Sequence, residues 1–131
     1  MTPAPTAPCP CGSGVRLAAC CGRYHAGPQH LQAPTAEVLM RSRYSAFVAG
    51  LADYLLATWH PSTRPPALEP NEPGLKWLGL EVKRHAMSDI DHATVEFVAR
   101  SRLGGRAHRL RELSRFVRED GRWYYVDGDG A

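Results

Sequence analysis

The stretch HATVEFVARSRLGGRAHRLRELSRFVR, His92–Arg118, decides the fold. Two runs with strand chemistry, His92–Leu103 and Arg106–Arg118, flank Gly104-Gly105. A Gly-Gly pair accepts the positive φ angles of a tight hairpin turn, so the two runs are expected to pair as antiparallel strands. Outward from this hairpin the pattern repeats. Leu75–Met87 precedes it across the turn Ser88–Asp91, and Arg122–Val126 follows across Asp120-Gly121, a second hairpin signal. Nothing helical separates the four segments, so they read as a meander.

The chain before Leu75 has a different character. Thr35 is a good N-cap with Glu37 in the first turn. Met40, Tyr44, Phe47, Val48 and Leu51 then recur at the three-and-four spacing of a buried helical stripe, and Gly50 is the expected stop. Asp53 can cap a second, short helix through Tyr54, Leu55 and Trp59, ended by Pro61. Residues 61–74 hold five of the 11 prolines and should be irregular. Helices grouped before strands predict an α+β fold, with two N-terminal helices packed in a curled antiparallel sheet of about four strands.

At 131 residues the chain fits one domain with a modest core. With 44% hydrophobic and 22% charged residues it has the composition of a soluble globular protein. No apolar run is long enough to span a bilayer. Met1–Pro8 is Pro/Ala/Thr-rich and lacks a basic segment followed by an apolar one, so a cytoplasmic location without a secretory signal is expected. The net charge of +3 is weak support for a nucleic-acid partner. The divisions expected are a flexible tail over residues 1–8, a cysteine module over 9–25, a linker over 26–34 and the α+β domain over 35–131.

All four cysteines lie between residues 9 and 21. A disulfide framework would spread them along the chain; crowding in one loop argues for metal. The motif runs Cys9-Pro10-Cys11-Gly12-Ser13-Gly14, then Cys20-Cys21-Gly22. Gly12 and Gly14 permit the sharp turn that lets Cys9 and Cys11 reach one ion. Four thiolates close a tetrahedral zinc site, leaving no position for a catalytic water. Cys21 completes the set most simply, with His25 or His30 as the alternative fourth ligand. The module is expected to fold apart from the sheet, so that Cys11→Ser would release one structural Zn2+ and unfold residues 9–25 alone.

The string C-P-C-G-S-G…C-C-G resembles the SEC-C motif, the small zinc module at the C-terminus of the preprotein translocase ATPase SecA and in many unrelated bacterial proteins. The resemblance implies Cys9, Cys11, Cys20 and Cys21 as ligands. The stretch before the third cysteine, usually Lys-rich with an aromatic, is here Val15-Arg16-Leu17-Ala18-Ala19. The remainder is similar to the bacterial YchJ family. The similarity rests on Met40–Phe47, Asp53-Tyr54-Leu55, Thr58-Trp59-His60-Pro61, Trp77-Leu78-Gly79-Leu80, Glu112–Phe116 and Trp123–Gly128. It implies a domain like those of the nuclear-transport-factor-two superfamily, a cone of curled sheet wrapped on helices. Such cones enclose an apolar pocket in which related enzymes place an acid, a base and tyrosines, and they often dimerise through the outer sheet face.

Alternation on Arg106–Arg118 puts Leu110, Glu112, Ser114 and Phe116 on the more apolar, inward face. Glu112 then needs a partner, and Arg43 on the first helix can supply it, as a structural ion pair or around a catalytic base. His60 at a helix end is read as a cap for carbonyls, or as a general base oriented by Asp53. No nucleophile elbow, phosphate loop or second metal cluster is present. The first expectation is therefore a non-enzymatic accessory protein that docks a protein partner through the zinc module. The second is a small-molecule binder or enzyme using Glu112, His60 and Arg43. The third is an RNA- or ribosome-associated protein using Arg16, Arg23 and the face of Arg109, Arg111 and Arg115. That face lacks the aromatic residues a stacking platform needs, and a homodimer contact there is the alternative.

Overall fold

The computed structural model describes residues 3–130. Helices α1 (Gly22–His25), α2 (Ala36–Ala49) and α3 (Ala52–Ala57) precede strands β1 (Lys76–Asp89), β2 (His92–Leu103), β3 (Arg106–Glu119) and β4 (Arg122–Gly130). The strands form one antiparallel sheet in sequence order. The α+β reading holds, with α1 as an extra single turn inside the cysteine module. The hairpins close where expected. Gly104 and Gly105 have φ of 59° and 77°, and Asp120 and Gly121 have 53° and 77°, the doubly positive pattern whose twist matches that of paired strands.

Helix α2 begins as its sequence dictates: Val38 N–H donates to Thr35 Oγ1 at 3.1 Å, and Gly50 closes it in a left-handed conformation. The second helix departs from expectation. Leu51 N–H bonds back to Ala46 O at 2.9 Å, so the chain re-enters helix at Ala52 with Leu51 at the cap position. Asp53 is therefore an exposed first-turn residue, favourable to the helix dipole but no cap. Beyond α3 the chain lies along β4. Tyr125 N–H donates to Thr58 O at 2.9 Å, and His60 N–H donates to Tyr125 O at 2.7 Å.

The core sits between α2, α3 and the concave sheet face. Leu39, Met40 and Tyr44 meet Val95, Phe97 and Ala99 of β2, Phe116 of β3 and Trp123 of β4. Strand β4 carries a bulge that the sequence pattern hides. Phe116 pairs with Tyr125 but Arg115 pairs with Asp127, so Val126 is the extra residue. The bulge shifts the alternation by one, placing Gly128 opposite Ser114 and Gly130 opposite Glu112.

Two stretches expected as loose are built in. Met1 and Thr2 lie outside the described residues. Pro8 bridges to Arg16, Ala7 O accepts from Leu17 N–H at 2.8 Å, and Pro5 O accepts from Ala18 N–H at 3.0 Å. Residues 5–8 thus form an edge of the cysteine module rather than a flexible tail, because the loop Val15–Ala18 needs partners for its backbone donors. Residues 26–34 connect the module to α2, but Leu31 and Ala33 pack on the main core, as does Tyr24 of α1. Apolar side chains in a connection this short are buried with it.

Candidate functional site

The four cysteine Sγ atoms lie within 4.8 Å of one another. Cys9, Cys11 and Cys21 are buried and Cys20 is half-buried; none is in a disulfide. The turn that gathers them is local. Gly12 N–H donates to Cys9 O at 3.1 Å, Cys9 N–H donates to Val15 O at 2.8 Å, and Gly12 and Gly14 take φ of 86° and 83°. A 3₁₀ turn over Leu17–Ala19 delivers Cys20, and Cys21 starts α1, so the adjacent pair sits where one helix type gives way to another. Cys11 Sγ and Cys20 Sγ are 3.7 Å apart. Two thiolates bound to one tetrahedral zinc at about 2.3 Å lie about 3.8 Å apart, so this spacing fits such an ion.

The electrostatics favour a cation at this point. Cys9 is held well below the usual thiol value by hydrogen bonds from Cys11 and then Cys21, whereas Cys21 is pushed up by its contacts with Cys11 and then Cys9 and by burial. Without a cation the cluster tolerates little charge; a bound metal ion lets all four thiols ionise. Ser45 Oγ lies 3.4 Å from Cys9 Sγ and Ser13 Oγ lies 3.1 Å from Cys20 Sγ, giving two hydroxyl donors to the thiolates. His25 is engaged elsewhere. Its Nε2 is 2.8 Å from Ser42 O, which can only accept, so Nε2 carries the proton. The ring stacks edge-on to Tyr54, and burial lowers its pKa. His30 also sits near Tyr54 and is exposed.

The module is joined to α2 along one helix face. Arg41 Nη1 donates to Cys11 O at 2.9 Å, its Nε is paired with Glu37 at 3.0 Å, and Ser42 and Ser45 receive His25 and Cys9. Leu80 of β1 packs against the cysteine cluster from the other side. The contacts through Arg41, Ser42 and Ser45 were not read from the sequence. Two serines in a helix otherwise built for burial are the signal that was there to find.

The other face of α2 looks into the cone. Met40, Arg43, Tyr44 and Phe47, at helical spacing, line a cavity of about 310 Å³. The sheet contributes Glu112, Ser114 and Tyr125 among others, so the inward placement of Glu112 and Ser114 follows the strand alternation. The expected Arg43–Glu112 ion pair does not form among the described residues. Arg43, only 6% exposed, instead donates from Nη1 to Leu55 O at 2.7 Å and Thr58 Oγ1 at 2.6 Å. Its guanidinium packs on the Trp59 and Tyr125 rings, with centroids 5.3 and 4.6 Å away, and burial lowers its pKa to about 10. Glu112 accepts from Ser114 Oγ at 2.5 Å. Burial, with the Glu112 charge adding to it, raises Tyr125 to about 12, and Tyr125 stays a neutral hydroxyl.

His60 and Asp53 do not join this cavity. His60 Nε2 is paired with Glu119 at 2.9 Å and its Nδ1 lies 2.7 Å from Ser62 Oγ, at the far end of β3. It caps no helix carbonyl, because its own N–H and ring are drawn onto β4 and β3. Asp53 lines a separate groove with His25 and His30. The proline-rich segment reaches the cavity: Pro70 lines it, and Asn71 Nδ2 donates to Phe47 O at 2.6 Å while its Oδ1 accepts from Trp77 Nε1 at 2.8 Å. Asn71 was not singled out by sequence; an amide inside an irregular loop carries no local signature.

Gly128 lies directly under the Glu112 side chain. A methyl group there would sit 2.7 Å from the Glu112 carboxyl carbon. Gly128→Ala should cost about 1–3 kcal/mol, and most of that cost should vanish in a Glu112→Ala background. Urea unfolding of both single variants and the double variant reads the coupling; equal cost in the two backgrounds would place the strain elsewhere.

The arginines of the outer face are largely neutralised. Arg111 is paired with Glu96 at 2.6 Å, and Arg115 with Asp127 at 2.6 Å and Asp129 at 2.8 Å. Phosphates would have to displace these carboxylates. Among the described residues no helix is long and apolar enough to cross a membrane.

Cone and cysteine cluster together define a class: a nuclear-transport-factor-two-like domain carrying an N-terminal SEC-C module. Residues 6–23 match the SEC-C motif and residues 35–128 match the YchJ, middle NTF2-like domain, and the chain belongs to the YchJ family. It is 64% identical over 127 residues to UPF0225 protein BPP1723 of Bordetella parapertussis, covering 97% of this chain and 96% of that protein. A UPF0225 protein of Chromobacterium violaceum is 64% identical over 126 residues, covering 93% and 92%. Among solved structures, RPA3114, a SEC-C motif containing protein from Rhodopseudomonas palustris, superposes with a TM-score of 0.81 at 32% identity, covering 95% of this chain and 99% of that one. A SEC-C motif containing protein from Psychrobacter arcticus gives 0.77 at 32% identity, covering 93% and 80%.

Proposed function

We propose that the chain is a zinc-binding accessory protein of the cytoplasm. Cys9, Cys11, Cys20 and Cys21 hold one structural zinc ion that clamps the N-terminal module onto α2. The observation that carries this reading is the set of four sulfurs within 4.8 Å, three of them buried. Four thiolates complete a tetrahedral shell, so the ion has no vacant position for water or substrate, and its contribution is folding energy. The outward side of the module, where Arg16 and Arg23 are exposed, is the surface offered to a protein partner. The test is elemental analysis of purified, untagged protein with thiol titration before and after chelation. One zinc per chain, with four thiols reactive only after chelation, is expected. Absence of metal, or thiols reactive from the start, would overturn the reading and favour redox chemistry at Cys20 and Cys21.

A second reading has its own observation. The cone cavity combines apolar and aromatic walls with a few convergent polar groups, the usual make-up of a small-molecule site. The accessory role of the module and a ligand in the cone are compatible, since they use opposite faces of α2.

A further inference from the structure

We propose that the cone cavity binds a small, uncharged, largely flat molecule whose polar end offers one hydrogen-bond acceptor and one donor, a carboxamide being the simplest such group. The proposal rests on reading the cavity as a small-molecule site and names the chemistry that site selects.

Two charged groups in the cavity leave hydrogen-bonding capacity unused. Arg43 is nine-tenths buried and lines the cavity, yet only its Nη1 is occupied, by Leu55 O and Thr58 Oγ1. Its Nε and Nη2 have no hydrogen-bond partner among the described residues. Glu112 uses Oε2 for Ser114, and its Oε1 has no partner among the described residues. The two groups share the cavity but form no ion pair. These atoms are not sealed in the core, so the cavity leaves them open to water or to a ligand that can replace it. The Trp59 and Tyr125 rings pack on the Arg43 guanidinium and limit its movement, so it cannot swing to Glu112 without losing both contacts.

Charge decides which ligand fits. The cavity lining carries one positive and one negative group. An anion would gain from Arg43 but meet the Glu112 carboxylate, and a cation would gain from Glu112 but meet Arg43. Each would bring a third charge into a largely apolar cavity. A neutral group that accepts from Arg43 and donates to Glu112 satisfies both and leaves the balance intact. The walls suit a flat, apolar body, because Trp77, Phe97 and Phe116 surround the space with ring surfaces. The volume of about 310 Å³ equals about ten water molecules of liquid.

The test uses three probes with one skeleton: 2-naphthamide, 2-naphthoate and 2-naphthylmethylammonium. Each is titrated into the purified, untagged protein while the indole N–H signals are followed by NMR. Trp59 and Trp77 line the cavity and Trp123 does not, so Trp123 is the internal control. The amide should bind at least about tenfold tighter than either charged probe, as expected for one hydrogen bond to a charged group, and should shift Trp59 and Trp77 alone. Glu112→Gln removes the negative charge but retains an acceptor for Ser114, and it should make the naphthoate the preferred probe. If either charged probe binds wild-type protein as tightly as the amide, or if Glu112→Gln leaves the order unchanged, the neutral-ligand proposal fails while the cavity remains a site. If no probe shifts Trp59 or Trp77, the reading of the cavity as a ligand site fails with it.

Discussion

With the proposed zinc ion at the cysteine cluster, Cys11→Ser is expected to release it and to lower the melting temperature of the whole chain by more than about 10 °C. Cys11 is fully buried, and its carbonyl takes Arg41 Nη1 at 2.9 Å. Removing one thiolate opens the site, and the stabilisation lost with a structural zinc is several kcal/mol or more. The sequence alone suggested that this loss would stop at residue 25. The contacts argue otherwise. Cys9 meets Ser45, His25 meets Ser42, Leu80 packs on the cysteines, and Tyr24 belongs to the main core. Helix α2 is held by the module on one side and by the sheet on the other, so a loosened module exposes the back of α2 to water. Elemental analysis together with thermal unfolding followed through the sheet signal checks this. Metal loss with an unchanged sheet transition would mean that the module is a separable appendage.

Arg43→Ala should cost about 3–4 kcal/mol. One part is the pair of hydrogen bonds from Nη1 to Leu55 O and Thr58 Oγ1, together about 1–3 kcal/mol, since Leu55 O keeps only the longer 3.3 Å bond from Thr58 Oγ1. The remainder is lost packing against Trp59 and Tyr125. Arg43→Lys should recover only a fraction, because one ammonium cannot reproduce the planar group that stacks on two rings while reaching two acceptors. Urea denaturation with an unchanged m-value reads the cost as a stability change. A loss below about 1 kcal/mol would show that Arg43 is not needed to hold α3 and the Trp59 segment on the sheet.

Much of this architecture was legible in the sequence because its causes are local. Gly104-Gly105 and Asp120-Gly121 specify hairpins through their own φ preferences, and those hairpins set the strand order. Thr35 and Gly50 mark α2 because caps act within a turn of the helix. The cysteines lie within thirteen positions, from Cys9 to Cys21, so their convergence needs only a tight loop. Strand alternation placed Glu112 and Ser114 on the concave face correctly.

What escaped the sequence depends on where distant segments meet. Arg43 has a long side chain, and which acceptor it finds is set by how α3 and β4 arrive beside α2; the nearest were Leu55 O and Thr58 Oγ1, not Glu112. His60 was drawn to Glu119 for the same reason, by the strap that runs along β4. The bulge at Val126 shifts the alternation of β4 and brings Gly128 under Glu112, and no composition rule predicts one unpaired residue in a ladder. On the arginine face, register set Arg111 beside Glu96 and Arg115 beside Asp127 and Asp129, pairings that need two or three strands at once. By itself the sequence determined the hairpin turns, the two ends of α2, the cysteine cluster and the inward face of β3, since each depends on a few neighbouring residues. Only the tertiary structure decided that the cysteine module and the cone share one helix, and that Arg43 and Glu112 face one cavity without pairing, because those outcomes depend on side chains competing for partners that the chain brings together from far apart.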